Sequence, residues 1–322
     1  MRYQVVFRWR GSTTPQGTRF GTLAVVLAFS LCQAVGQLLP AADLMPDTVA
    51  PGAKLVEAYH DPRVFDGPTW DQGTGKLYFT ARDANNHTQI LRLDGLGKVQ
   101  IFQYNTEGVY GTYRSLDGQL LGAQVFGHNV VSYSFSTGRM KVLAHDPAWN
   151  QPNDVCQTAS GDIFFTDPDF NRGKNSAVFR LSQGKVTKVV TNMPMPNGCI
   201  ASNDGRTLYV GDSHDKNWRA FPIAANGSLG PGRVFFDPDT EDTDSPDGMT
   251  TDEHGNLYFT GRGGIWVVTP AGESKGMILV PEYCTNVCFG GADGKTLYIT
   301  CKKKLYQLAM QVRGGSESKP TQ

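Results

Sequence analysis

One short segment, written six times, constrains this chain more than any other feature. A glycine turn followed by an alternating β-prone run occurs at residues 75–80 (GKLYFT), 161–166 (GDIFFT), 205–210 (GRTLYV), 255–260 (GNLYFT) and 294–300 (GKTLYIT), with a fainter copy at 118–123 (GQLLGA). The copies lie about forty to fifty residues apart, and no copy leads into an amphipathic helix. Each leads instead to a second alternating strand, as at 90–93, 178–181 and 265–268. Three or four short strands per repeat of this length make a propeller blade. Thirty-seven glycines in 322 residues supply the tight turns this requires. The expected fold is all-β, a six-bladed β-propeller over 50–312; two packed sandwiches would not need six copies in phase.

The ends of the chain read differently. Arg8, Arg10 and Arg19 precede an apolar run over 23–31 and then small residues at Ala34 and Gly36, the pattern of a signal peptide over 1–36. A linker over 37–49 follows, and the tail over 313–322 is expected to be disordered. The apolar run is too short to span a bilayer comfortably, so the expectation is a secreted or periplasmic protein with no membrane in its mature form. Thirty basic residues against thirty acidic ones offer no field to hold a polyphosphate, which argues against nucleic acid as a partner. A closed propeller needs no second copy, so monomer is the default. Of six cysteines, Cys32 falls in the leader and five remain, an odd number without zinc spacing. Cys284 and Cys288 share a strand face too far apart for an easy disulfide, so the cysteines are expected as buried thiols.

Blades built alike place equivalent residues around one axis. Ten or eleven residues before each glycine-turn strand stand Asp66-Gly67, Asn153-Asp154, Asn197-Gly198 and Asp247-Gly248, three of them preceded by Pro152, Pro196 or Pro246. The other two blades offer Val109 or Tyr110 and Thr285 or Asn286 at this offset. Each position alone reads as a local Asx turn. Four at one phase bring two carboxylates and two carboxamides towards a common centre, where unpaired carboxylates repel and are costly to bury. A cation relieves that cost. With oxygen donors and no His or Cys, the expected ion is Ca²⁺, or another divalent ion such as Mg²⁺ or Mn²⁺, with Zn²⁺ less suited.

The segments FDGPTW (65–70), PND (152–154), FTDP (165–168), PNG (196–198), GDS (211–213), PDGM (246–249) and TNVCFGG (285–291), in this order and spacing, resemble the SMP-30/gluconolactonase/LRE-like family over about residues 50–310. The resemblance implies a propeller that holds one divalent ion in its central channel and hydrolyses sugar lactones. It implies Asp66, Asn197 and Asp247 as metal ligands, Asn153 as a contact to metal or substrate, and Asp247 as acid/base. Asp66 stands where the family more often has glutamate, one methylene longer. Gln151 stands where its animal branch has an arginine that contacts sugar hydroxyls.

The expected chemistry is metal-assisted hydrolysis of a lactone. The ion polarises the carbonyl, while Asp247 takes a proton from water and returns it to the ring oxygen. A phosphotriester or other ester, as in diisopropylfluorophosphatase-type propellers, and a non-catalytic binding propeller with a structural ion are the competing readings. His214, two residues after Asp212, is the one histidine placed to overlook the channel, as a substrate contact. The acidic residues from Asp237 to Asp244 read as a solvated loop, and the glycines around Arg262 as a turn.

Overall fold

The computed structural model describes residues 45–171, 175–238, 245–261 and 263–315. The proposed signal peptide, most of the linker, the centre of the acidic loop, Arg262 and the last residues of the tail lie outside them. Among the described residues the chain forms six four-stranded antiparallel sheets and no helix. Each sheet is one blade of a β-propeller, and each repeated glycine-turn segment supplies its blade's second strand.

Blade one shows the pattern, with Val64–Asp71 innermost, then Lys76–Arg82, Thr88–Gly95 and Lys98–Gln103 outermost. The second strand is buried along nearly its whole length because both faces meet neighbouring blades, whereas the outermost strand is largely exposed. That gradient explains why the repeat is clearest in the second strand. It must be apolar or small on both faces, as a strand buried on both sides is.

Blade six closes the ring by borrowing a strand. Its inner three, Cys284–Gly290, Thr296–Cys301 and Lys304–Ala309, come from the end of the chain, and its outermost, Val56–His60, comes from before blade one. Pairing the two ends covers the edge of the last blade. Arg313 N–H also donates to Glu253 Oε1, and Gly315 N–H to Thr251 O, both at the inner end of blade five. The body of the fold therefore runs on to Gly315, past the boundary expected at Arg313.

Aromatic rings fill the wedges between blades. Trp70 of blade one stacks on Tyr298 of blade six at 5.8 Å, and Trp218 of blade four stacks on Phe259 of blade five at 4.9 Å. Tyr78 meets Phe135 between blades one and two at 4.7 Å. A buried ion pair, Arg114 Nε to Asp71 Oδ1 at 3.0 Å, ties blade two to blade one. The five described cysteines are buried thiols, as expected. Cys284 approaches its cross-strand partner Cys301, with the sulfurs 3.7 Å apart, rather than Cys288.

Candidate active site

The innermost strands are irregular at one common point. Pairing with the second strand shifts register between Asp66 and Thr69 in blade one and between Val109 and Thr112 in blade two. It shifts again between Pro196 and Cys199 in blade four and between Cys284 and Asn286 in blade six. A bulge leaves a residue out of the ladder, bends the strand and re-aims the neighbouring side chain. Carbonyls there need other partners. Threonine hydroxyls at one phase of the second strands donate to carbonyls at this level: Thr80 Oγ1 to Tyr110 O at 2.9 Å, Thr260 Oγ1 to Gly248 O at 2.7 Å beside the Thr260 N–H bond to the same oxygen, and Thr300 Oγ1 to Asn286 O at 3.1 Å.

Glycine beside the polar residue lets adjacent blades close in. A Cβ on Gly111 would stand 2.1 Å from Asp154 Oδ1, and one on Gly248 would stand 1.9 Å from Asn286 Cγ. At Gly111 backbone closes the gap as well, with Asp154 Cα and Asn153 O at 2.6 and 2.8 Å from the same point, so that position requires glycine on grounds of space alone.

A cavity of about 420 Å³ opens over this ring, and Asp66, Asn153, Asn197 and Asp247 all stand on its wall. Its size suits a small molecule. Gln151 and His214 are not on that wall. Gln151 N–H donates to Asp167 Oδ1 at 2.7 Å and its Oε1 accepts from Phe170 N–H, so it braces a residue that does line the cavity. His214 N–H bonds Asp212 Oδ1, which turns the imidazole outward, where it is 63% exposed and meets Asp215 at 3.0 Å. Ser213 lines the cavity in its place.

Three acids crowd this region. Asp66 is pushed up to about 6, chiefly by burial, against hydrogen bonds from Gly67 N–H and the Asn286 side chain. Asp154 stands behind the wall, accepts from Val155 and Cys199 N–H at 2.9 and 3.0 Å, and is pushed up to about 7 by burial, with the Asp66 charge adding to it. Asp247 is raised well above the ordinary carboxylate range by burial and by the charges of both other acids, which a bond from the Tyr283 hydroxyl at 3.2 Å only partly offsets.

Asn197 supplies a different sign of an incomplete site. Its Nδ2 donates to Ser213 Oγ at 3.0 Å, and Ser213 Oγ donates to Pro246 O at 2.6 Å, which fixes the amide orientation. The buried Oδ1 that this leaves over has no partner among the described residues. A buried polar oxygen without a partner is costly and calls for a ligand. Mutually repelling carboxylates beside it call for positive charge. Among the described residues no three His, Cys, Asp or Glu side chains gather as a ligand cluster. A cation here would therefore depend on carboxamide oxygens as much as on carboxylates, a donor set that fits a hard ion.

Other wall residues escaped the sequence reading: Arg82, Lys302, Tyr283, Phe170 and Met195. A signal for two of them was present, since Arg82 and Lys302 each stand two residues after the repeated threonine, Thr80 or Thr300. Phe170 and Met195 come from connections outside the repeat and carry no such mark.

Comparison with known proteins gives this arrangement a context. A family model for the SMP-30/Gluconolactonase/LRE-like region matches residues 65–303. A gluconolactonase from Zymomonas mobilis subsp. mobilis is 26% identical over 285 residues, spanning 77% of this chain and 79% of that protein. A pentonolactonase, XacC, from Haloferax volcanii is 27% identical over 243 residues, spanning 74% and 81%. Among solved structures, a gluconolactonase from Xanthomonas campestris superposes with a TM-score of 0.72 at 24% identity, covering 83% of this chain and 94% of its own. Regucalcin from Agrobacterium tumefaciens, described as a calcium-binding protein, superposes with a TM-score of 0.67 at 21% identity, covering 81% and 97%. At these identities the two structures speak to the fold.

Proposed function

Because the chain belongs to the SMP-30/gluconolactonase/LRE-like family, we propose that it is a metal-dependent hydrolase that opens a sugar-type lactone in the central cavity. The observation that carries this reading is that Asp66 and Asp247, both with raised proton affinity, and the unpartnered Asn197 Oδ1 line the same cavity. The lactonase activities of the relatives from Zymomonas mobilis and Haloferax volcanii support it.

Asp66, Asn153, Asn197 and Asp247 would hold the divalent ion, Ca²⁺ before Mg²⁺, Mn²⁺ or Zn²⁺. When bound, it would supply Lewis-acid polarisation of the lactone carbonyl. Asp247 is the acid/base. Burial and two neighbouring acids make it a stronger base than an exposed aspartate, and Tyr283 holds one of its oxygens in place. It removes a proton from the attacking water and returns one to the ring oxygen as the C–O bond breaks. Phe170 and Met195 offer an apolar surface for the C–H face of the ring. Gln151 contributes through Phe170, and His214 through the Asp212 turn that presents Ser213. The pattern over residues 1–36 supports an exported protein.

Replacing Asp247 by Asn tests the assignment. Hydrolysis of gluconolactone should fall by about a hundredfold or more, and near-normal turnover would refute it.

A further inference from the structure

The cavity wall is not symmetric. On the side formed by blades six, one and two stand two cations, Arg82 and Lys302, and two phenol rings, Tyr110 and Tyr283; across from them stand Phe170 and Met195. The Arg82 guanidinium lies 5.5 Å from the centroid of the Tyr110 ring, and Lys302 Nζ lies 5.2 Å from that of Tyr283. Each cation is thus laid over an aromatic face at the cavity. The same repeat phase in adjacent blades places both, so they stand side by side around the ring.

Neither charge is paired with an acid of the floor: among the described residues neither Arg82 nor Lys302 forms an ion pair with a carboxylate. Arg82 donates to a carboxamide, Asn86 Oδ1, at 2.9 Å. Two positive groups held on one wall by neutral partners form a receptor for negative charge.

We propose that Arg82 and Lys302 form an anion subsite, and that the substrate is a lactone bearing a carboxylate or phosphate at the end remote from its ring carbonyl. This rests on the lactonase reading of the same cavity. The cationic wall takes the anionic end, which leaves the ring carbonyl to face Asp247. Hydrolysis then adds the hydroxyl of water to the acyl carbon, breaks the ring C–O bond and leaves the proton on the ring oxygen. The product is a sugar acid with two anionic ends, and the new acid group releases one proton to solvent.

The test compares gluconolactone with glucarolactone, which carries a carboxylate in place of its CH₂OH, and with phosphogluconolactone. The wild type and the Arg82→Gln, Lys302→Gln and Arg82→Lys variants are assayed for kcat/KM, and binding of the corresponding sugar acids is measured by calorimetry. The wild type should favour one anionic lactone over gluconolactone by roughly tenfold or more, and the favoured one identifies carboxylate or phosphate. Each Gln variant should shrink that ratio at least about fivefold, mainly through KM, Arg82→Lys should retain most of it, and added salt should compress it. A wild type that hydrolyses gluconolactone without preferring either anionic lactone overturns the subsite and leaves the lactonase reading standing. No turnover of any lactone, with binding of an anionic sugar acid that weakens at least fivefold in both Gln variants, overturns the lactonase reading and keeps the subsite. Absence of both turnover and binding overturns both.

Discussion

The Tyr283 hydroxyl of blade six donates to Asp247 Oδ2 of blade five across 3.2 Å, and both residues line the cavity. The bond stabilises the ionised carboxylate and lowers its proton affinity against the larger effect of burial. Tyr283→Phe should therefore raise the proton affinity of Asp247 and move the acidic limb of the kcat/KM profile to higher pH. Turnover near neutrality should fall roughly tenfold. A variant with an unmoved pH profile would show that this bond does not tune the base.

Removing the Asp247 charge should have opposite effects on rate and stability. The carboxylate is half-buried beside two other acids, Asp66 and Asp154, so in the absence of a cation its charge opposes folding. Asp247→Asn should raise the melting temperature of the chelator-treated protein by a few degrees, while hydrolysis by the calcium-loaded protein falls about a hundredfold or more. A destabilised variant would mean that the carboxylate holds the innermost strands together.

Asn197 Oδ1 is a buried oxygen without a partner on a residue that lines the cavity, and Ser213 holds the amide in place. Asn197→Ala should weaken calcium binding at least about tenfold, and Ser213→Ala should weaken it less. Both are read by calorimetry on the folded protein. Equal calcium affinity in wild type and Asn197→Ala would remove this residue from the ligand set.

The buried acids also predict the slope of stability with pH. Asp154, at about 7 in the fold against an ordinary 3.8, keeps its proton where the unfolded chain has lost it. Its contribution is fully present below the ordinary carboxylate range and is lost as pH rises towards about 7. Asp154→Asn keeps one acceptor oxygen and removes the titration. With chelator present, the stability of the wild type relative to this variant should fall between about pH 4 and pH 7, as followed by thermal denaturation. A relative stability that rises across this window would contradict the buried, protonated carboxyl.

The six blades were legible because the second strand of each, buried on both faces, repeats its composition at a fixed spacing. The four Asx positions were legible for the same reason: one phase of a closed repeat is one place on the axis, and all four line the same cavity. The bulges were not, since Gly67 or Gly198 reads as a turn residue until the neighbouring strand is seen in contact with it. Asp154 was recognised as part of a dipeptide, but which of two adjacent side chains faces the cavity depends on the direction of the bend. His214 stands at the turn its spacing predicts, but Asp212 captures its backbone N–H and turns the ring to solvent instead of the cavity. Phe170 and Met195 lie on connections whose paths no periodicity fixes.

The central claim is a cation-dependent lactonase seated on Asp66, Asn153, Asn197 and Asp247. Acid release from gluconolactone, glucarolactone and a phosphotriester, measured with chelator and then with calcium restored, tests it most directly. Lactone hydrolysis that stops on chelation and returns with calcium, with no turnover of the phosphotriester, is the predicted result. Lactone hydrolysis at an undiminished rate in chelator, or a folded, calcium-binding protein inert towards every lactone, would contradict it.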